Sequence, residues 1–236
     1  MGGQTQAERK LRVLCLHGFR TSGEIMKKQL LGKWPEEVTS RFDFFFPDGP
    51  WPATGKSEVE AFFPPPYYEW YQYNKDFSVY KKLDDCIAFI EDLMIKHGPF
   101  DGLLGFSQGS ILSAAVTGMQ IKGTAFRSVP RVKFVVLMSG ARFTAPEVAE
   151  KIYPDKITCP SVHFLGDADF LKKEGELLSQ TFVKPVIIRH AKGHTVPRLD
   201  GESVKTMLGF IDRIEDSCAS SHIDEKVELV ELECVA

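Results

Sequence analysis

One serine in this chain has the sequence surroundings of an enzyme nucleophile. Residues 105–109 read Gly-Phe-Ser-Gln-Gly, the pattern G-x-S-x-G, and they lie between an apolar run at 100–104 and a helix-like run at 110–116. A strand, a sharp turn and a helix in this order form a nucleophile elbow, in which the serine sits on a strained backbone and the glycines leave room for the crossing strand and helix. The pattern predicts that Ser107 attacks an acyl carbon, but the motif alone is short enough to occur by chance.

Candidate partners for this serine follow later in the chain. A serine hydroxyl is a poor nucleophile unless a histidine removes its proton and an acid orients that histidine. An elbow of this type needs the acid first and the histidine second, each after a later strand. The run 159–165 is followed by Gly166-Asp167-Ala168-Asp169, and the run 185–189 is followed by Lys192-Gly193-His194. His194 is the predicted base, and both aspartates of the 166–169 turn are candidates for the acid.

Backbone donors for the developing negative charge are predicted near the first strand. The tetrahedral intermediate of acyl transfer is stabilised by N–H groups aimed at its oxygen. The strand-like run 11–16 leads into His17-Gly18-Phe19-Arg20, so the N–H groups of Phe19 and Gln108 are the predicted oxyanion hole. Alternatively, the His-Gly pair only ends the strand as a turn. The Arg20 side chain has two possible partners, a substrate carboxylate or a neighbouring acidic side chain, and we favour the second.

Strand and helix signals alternate along the chain and predict how these residues are held. This alternation is typical of an α/β fold with a mostly parallel sheet, helices on both faces and the active site at the carboxyl ends of the strands. The predicted strands are 11–16, 42–46, 100–106, 132–138, 160–165 and 185–189. The predicted helices lie near 23–32, 77–96, 107–121, 146–152, 172–181 and 202–214.

One segment, residues 51–76, departs from this pattern because it is rich in aromatic residues and proline. We predict that it is an insertion beside the active site, forming a wall or lid whose rings bury the acyl or aromatic part of a substrate. The alternative is a rigid loop packed on the body of the domain. The predicted substrate contacts in this segment are Phe63, Tyr67, Tyr68 and Trp70.

Taken together, these motifs resemble the α/β-hydrolase superfamily and, within it, the FSH family of serine hydrolases. The resemblance covers residues 11 to about 214 and is most specific at 14–20, 48–50, 102–109 and the turns that end at Asp169 and His194. It implies that the acid is the fourth residue of the G-x-x-D turn, which favours Asp169 over Asp167. It also implies a small carboxylesterase or thioesterase that acts on acyl chains.

Composition is consistent with one globular α/β domain. The 236 residues are 43% hydrophobic with a net charge of -3, so no basic surface is expected for nucleic acid. We predict a flexible N-terminus at 1–10, the hydrolase domain at 11–214 and an acidic tail at 215–236. This tail is flexible or, alternatively, forms a late strand on a sheet edge.

The remaining sequence features concern location and cofactors. No run reaches the roughly 20 apolar residues that span a membrane, and residues 1–10 lack an apolar signal core. The five cysteines have no paired metal-ligand spacing, and their odd number argues against a disulfide framework. We therefore expect the protein in the cytoplasm, with the nucleus as an additional location. We expect no metal or cofactor.

The sequence thus predicts a serine hydrolase that cleaves carboxylic esters of small or acyl-chain substrates through an acyl-enzyme intermediate. Its expected partner is a small-molecule ester or thioester, because the same residues would attack either group. A receptor that binds ligands on a hydrolase fold with little turnover is the alternative of another class. Nothing in the sequence predicts the oligomeric state.

Overall fold

A six-stranded parallel sheet forms the centre of the protein in a computed structural model that describes residues 9–233, with side chains to residue 219. The strands are β1 (Leu11–Leu16), β2 (Phe42–Phe45), β3 (Trp51–Pro52), β4 (Tyr68–Glu69), β5 (Gln72–Tyr73), β6 (Tyr80–Lys81), β7 (Gly102–Phe106), β8 (Phe134–Met138), β9 (Ser161–Gly166) and β10 (Val186–His190). In the central sheet they are ordered β2-β1-β7-β8-β9-β10, and every neighbouring pair is parallel.

In the described part of the chain, seven helices lie around this sheet. They are α1 (Gly23–Leu31), α2 (Glu36–Thr39), α3 (Leu83–His97), α4 (Gln108–Lys122), α5 (Pro146–Ile152), α6 (Lys172–Ser179) and α7 (Gly201–Glu233). Strands β7, β8 and β9 are buried almost throughout, as expected for parallel strands covered on both faces.

Two apolar clusters lie on opposite faces of the sheet. In β1, Leu14 and Leu16 belong to the cluster that includes α3 and α4, whereas Val13 and Cys15 belong to the cluster that includes α1 and α7. This alternation follows from the two-residue period of a strand. The predicted α/β class, with a parallel sheet and helices on both faces, is confirmed.

The predicted strands and helices agree with the structure to within two residues except at two helix boundaries, whereas α2 and the short strands β3–β6 were not predicted. The helix predicted at 77–96 begins only at Leu83, because Tyr80 and Lys81 form a short strand and Lys82 has a positive φ of 60°. The stripe predicted on this helix, at 83, 87, 90 and 94, is buried as expected. The second difference is in α7, which was predicted to end near residue 214.

The chain from 201 to 233 is one continuous helix. Its first half packs Met207, Phe210, Ile211 and Ile214 against the sheet at three- and four-residue spacing. Because residues 215–233 continue the helix, the late strand considered for them is wrong. The division into a hydrolase domain and a flexible tail stays a prediction, and residues 1–8 of the predicted N-terminal segment lie outside the described chain. Among the described helices, none combines the length and apolar character that crossing a membrane requires.

Candidate active site

Ser107 occupies a strained turn at the centre of the sheet, between β7 and α4. Its φ of 53° and ψ of -115° lie in a region that residues other than glycine rarely adopt. The turn is fixed on both sides, since the Ser107 N–H donates to the Met138 carbonyl at 2.9 Å and its carbonyl accepts from the Ile111 N–H at 3.1 Å. The serine is thereby held at the carboxyl end of a central strand.

The two glycines of the motif are required by crowding in this turn. A Cβ atom at Gly105 would overlap the carbonyl of Gly109, and a Cβ atom at Gly109 would overlap the carbonyl of Leu16 in β1. Both obstacles are backbone atoms, which cannot move aside as the end of a flexible side chain can. The G-x-S-x-G pattern thus reflects the close crossing of β1, β7 and α4.

Substituting Gly109→Ala is therefore expected to destabilise the protein by at least about 1–3 kcal/mol and to reduce labelling of Ser107 by a fluorophosphonate. Urea unfolding and intact mass after labelling would measure the two effects. The matched control is Gly209→Ala in α7, where an added Cβ would meet only the Arg213 guanidinium, at 3.9 Å. An unchanged unfolding midpoint for Gly109→Ala would contradict the crowding argument.

A continuous hydrogen-bonded series joins the serine, the histidine and one aspartate. The His194 Nε2 lies 2.9 Å from the Ser107 hydroxyl, and the His194 Nδ1 lies 2.9 Å from Asp169 Oδ1. Because a carboxylate can only accept, Nδ1 carries the proton and Nε2 is left to accept the serine proton. This is the arrangement that a serine nucleophile and its base require.

The two aspartates of the 166–169 turn have different environments. Asp169 is buried and also accepts the Leu171 N–H at 2.8 Å. Burial would raise its pKa, but the Ser139 hydroxyl, the Leu171 N–H and His194 outweigh this, so that the pKa of Asp169 lies below its usual value. Asp167 is exposed and pairs with Lys172 at 3.0 Å. The structure therefore brings Asp169, and not Asp167, to the histidine.

Two phenylalanine rings flank the imidazole of His194. The Phe106 ring centroid lies 5.0 Å from the imidazole, and that of Phe170 lies 4.5 Å away. Phe170 is 75% exposed, which is unusual for so large an apolar side chain. Phe170 is not among the residues predicted from the sequence, although its place directly after Asp169 in the turn is a usable signal.

His17 orients the loop that carries the first predicted oxyanion donor. Its Nδ1–H donates to the Gly18 carbonyl at 2.7 Å, and its Nε2 accepts the Gly49 N–H at 2.9 Å. The Thr21 hydroxyl donates to the same Gly18 carbonyl at 2.9 Å. Because the C=O and N–H of a trans peptide point in opposite directions, these bonds turn the N–H of Phe19 away from His17. Complete burial lowers the pKa of His17 to about 4, which keeps the ring neutral at neutral pH.

Both predicted oxyanion donors belong to backbone next to the nucleophile. A Cβ placed on Gly18 would lie 3.6 Å from the Ser107 Cβ, so the peptide that bears the Phe19 N–H adjoins the elbow. Gln108 is the first residue of α4, where N–H groups have no partner within the helix. The structure brings both groups to Ser107, and their role as an oxyanion hole stays a prediction.

The side chain of Gln108 fastens the aromatic segment to the elbow. Its Nε2 donates to the Tyr71 carbonyl at 2.8 Å, and its Oε1 accepts the Trp70 N–H at 3.2 Å. The Trp70 indole N–H donates to the His17 carbonyl at 2.9 Å, and the ring has no exposed surface. The predicted substrate contact of Trp70 is therefore wrong, since this ring is fully buried against the loop at 17–20, which we call the oxyanion loop after its predicted role.

The second attachment of the segment is an ion pair. Arg20 Nε donates to Glu69 Oε1 at 2.7 Å, and Glu69 is fully buried. Burial would raise the Glu69 pKa, but hydrogen bonds from Gln72, Arg20 and the Thr54 N–H outweigh it and lower the pKa. Arg20 thus pairs with a neighbouring acidic side chain, the alternative that we favoured over a substrate carboxylate.

The other three residues predicted to contact substrate, Phe63, Tyr67 and Tyr68, are half-buried. Tyr68 in β4 bridges to Thr21 through backbone hydrogen bonding, and the Tyr67 hydroxyl donates to the Phe63 carbonyl at 2.6 Å. These bonds fix the segment, and contact of the three aromatic residues with substrate stays a prediction.

Three other rings form a row that begins at the oxyanion loop. The Phe19 and Tyr73 centroids are 5.2 Å apart, and Tyr73 stacks on Phe77 at 4.8 Å. Tyr73 and Phe77 are exposed. Neither ring is among the residues predicted from the sequence, because composition does not show which rings of the 51–76 segment face outwards, and Phe77 falls in the helix predicted at 77–96.

The parallel sheet and the Ser107, His194 and Asp169 arrangement define this chain as an α/β-hydrolase. A family model described as "Serine hydrolase (FSH1)" matches residues 6–206. The chain belongs to this family of serine hydrolases, in agreement with the resemblance found in the sequence.

Relatives and solved structures agree with this assignment. The chain is 30% identical over 218 residues to "Esterase CG5412" of Drosophila melanogaster, covering 88% of this chain and 76% of that protein. It is 29% identical over 231 residues to human "Esterase OVCA2", covering 89% and 99%. Among solved structures, acyl-protein thioesterase 2 of Zea mays superposes with a TM-score of 0.61 at 18% identity, covering 90% and 96%. At that identity the structural match shows the fold alone.

Proposed function

We propose that this serine hydrolase cleaves carboxylic esters of small or acyl-chain substrates through an acyl-enzyme intermediate on Ser107. The observation that carries the proposal is the hydrogen-bonded series from Asp169 through His194 to Ser107, with 2.9 Å at each step. The names of the two relatives, both esterases, support an ester as the substrate.

In this mechanism His194 Nε2 accepts and then donates a proton in each of the two half-reactions, acylation and hydrolysis of the acyl-enzyme. Nε2 takes the proton of Ser107 as the hydroxyl oxygen attacks the acyl carbon, and the N–H groups of Phe19 and Gln108 stabilise the resulting oxyanion. Nε2 then gives the proton to the leaving oxygen as the carbon–oxygen bond breaks. Water repeats the sequence on the acyl-enzyme and releases the acid. Asp169 stays ionised, in keeping with its lowered pKa, and stabilises the transient imidazolium.

The acyl group needs an apolar surface beside the nucleophile. The row formed by Phe19, Tyr73 and Phe77, together with the exposed Phe170 ring on His194, supplies such a surface. Rings of this size bury large apolar area with few polar groups, which suits an alkyl or aryl acyl chain. We assign acyl binding to these rings in preference to Trp70.

Thioester hydrolysis is the second candidate. The same residues attack an acyl thioester, and the fold is shared with an acyl-protein thioesterase. The two activities differ in the leaving atom, which is oxygen in an ester and sulfur in a thioester. A thiolate leaves with less help from the His194 proton than an alkoxide does.

The cytoplasmic location also remains a proposal. The four cysteines among the described residues, Cys15, Cys86, Cys159 and Cys218, are all free thiols. Free thiols are typical of reducing compartments.

Turnover of a matched substrate series tests the proposed function. We expect multiple turnovers of p-nitrophenyl esters from acetyl to dodecanoyl, with a maximum of kcat/KM at one chain length that reports the size of the acyl surface. The N-acetylcysteamine thioesters of the same acids show whether thioesters are also substrates. If a folded sample is labelled at Ser107 by a fluorophosphonate but turns over no ester of either series, the proposal is wrong.

A further inference from the structure

A cavity of about 490 Å³ lies beside His194. It is lined by the turn at 192–196, by Lys33, two residues after α1, and by Arg198. His194 is the residue that this cavity shares with the hydrogen-bonded series. The cavity is thus next to the group that must protonate a leaving group.

The cavity is strongly positive. Lys33, Lys192 and Arg198 all line it, and no aspartate or glutamate does. Among the described residues none of these three cations forms an ion pair. In a chain whose net charge is -3, this is an unusual local concentration of one sign.

Lys33 is held in place without an acidic partner. Its Nζ donates to the Thr195 hydroxyl at 2.8 Å and to the Val196 carbonyl at 2.7 Å. An ammonium group has three N–H donors, so one is left for a ligand. Burial and the neighbouring Arg198 lower the pKa of Lys33, as expected where no carboxylate compensates its charge. A bound anion would relieve this cost.

The position of the cavity indicates which part of a substrate enters it. The leaving atom must lie near His194 Nε2 to receive its proton, so the leaving group extends along the histidine. The aromatic row instead starts from Phe19, beside the oxyanion loop, and suits the acyl group.

We propose that this cavity binds an anionic group, phosphate or carboxylate, carried by the alcohol or thiol that the enzyme releases. The proposal rests on the proposed ester or thioester hydrolysis and adds the charge of the leaving group. Attraction between exposed charges is weak. We therefore expect the three cations together to raise kcat/KM for an anionic leaving group by roughly tenfold over a neutral one, which corresponds to about 1.4 kcal/mol.

Two pairs of substrates isolate the effect of the charge on the leaving group. Octanoyl 4′-phosphopantetheine and octanoyl pantetheine differ by one phosphate, and S-octanoyl thioglycolate and its methyl ester differ by one carboxylate. The native protein is expected to prefer the anionic member of at least one pair, and the preference should shrink as salt is added. Comparison of the pairs shows whether phosphate or carboxylate is the better ligand.

The double substitution Lys192→Gln and Arg198→Gln is expected to remove most of this preference and to leave kcat/KM for neutral substrates unchanged within about twofold. Both side chains are exposed, so the variant should fold. The matched control is Lys205→Gln in α7, an exposed lysine that does not line the cavity and whose removal breaks only an exposed pair with Glu202. A charge preference that survives the double substitution, or that the native protein never shows, would overturn the proposal.

Calorimetric binding of 4′-phosphopantetheine and pantetheine gives the same comparison without turnover. We expect the phosphorylated product to bind the native protein more tightly than the neutral one and to lose this advantage in the double variant. Binding that shows this difference without any hydrolysis would retain the anion site and contradict the proposed function. Equal binding of the two products, together with normal hydrolysis, would contradict the anion site and leave the proposed function in place.

Discussion

Replacement of Ser107 by alanine is expected to abolish ester turnover and fluorophosphonate labelling while the protein remains folded. The substitution removes the only atom that can form the acyl-enzyme, and in a well-studied serine protease the equivalent loss lowers kcat on the order of 10⁶-fold. The fold should tolerate it, because the backbone bonds of Ser107 to Met138 and Ile111 do not involve the side chain. Loss of the hydroxyl removes one side-chain hydrogen bond, the one to His194.

Intact mass after labelling and p-nitrophenyl ester hydrolysis measure this effect, and urea unfolding checks the fold. Ser128→Ala is the matched control, since Ser128 is exposed and lies far along the chain from the elbow. It should label and turn over as the native protein does. Residual turnover in Ser107→Ala above a few thousandths of the native rate, with the sample free of native protein, would contradict Ser107 as the nucleophile.

The second large effect is expected from the acid. Asp169→Asn keeps the size of the side chain but replaces a charged acceptor with an amide, which can donate to Nδ1 and so favour the wrong tautomer of His194. The equivalent substitution in a well-studied protease lowers kcat by about 10⁴-fold. Asp167→Asn, in contrast, breaks only the exposed pair with Lys172 and should change kcat/KM less than about twofold.

These two variants form an internal comparison, because they make the same chemical change two residues apart. Steady-state kinetics on one p-nitrophenyl ester would rank them, and thermal unfolding would show whether either has lost its structure. A severe loss in Asp167→Asn with near-normal turnover in Asp169→Asn would reverse the assignment of the acid.

Sequence alone predicted the parallel sheet and the residues that meet at its centre. Ser107, Asp169 and His194 lie one, three and four residues after the ends of β7, β9 and β10. Because parallel strands end at the same edge of a sheet, residues far apart in the chain were expected to meet there. The choice between Asp167 and Asp169 depended on family resemblance, since the residues of one tight turn have the same strand context.

The orientation of the aromatic residues could not be predicted in the same way. Trp70 and Tyr73 lie three residues apart in one aromatic run, yet the first is fully buried under the oxyanion loop and the second is exposed. A large ring is equally suited to a core and to a substrate surface, and the difference is decided by the Gln108 and His17 hydrogen bonds to Trp70. The two-residue strands around it are too short to leave a periodic pattern.

The extent of α7 was missed for a related reason. Between Ile214 and Ile223 small and polar residues interrupt the apolar stripe of the first half of this helix, and the apolar and acidic residues of 227–233 alternate in a way that also fits a strand.

The attachments of residues 51–81 have a consequence for altering this enzyme. The segment adds no strand to the central sheet and forms only its own two-stranded ribbons. Its attachments include the Arg20–Glu69 ion pair, the Thr21–Tyr68 bridge, the Gln108 side chain and the buried rings of Trp70 and Tyr71. A foreign loop that keeps the partners of these attachments can therefore be grafted here as a cassette, so that acyl preference can be exchanged while the scaffold that generates the nucleophile is left intact.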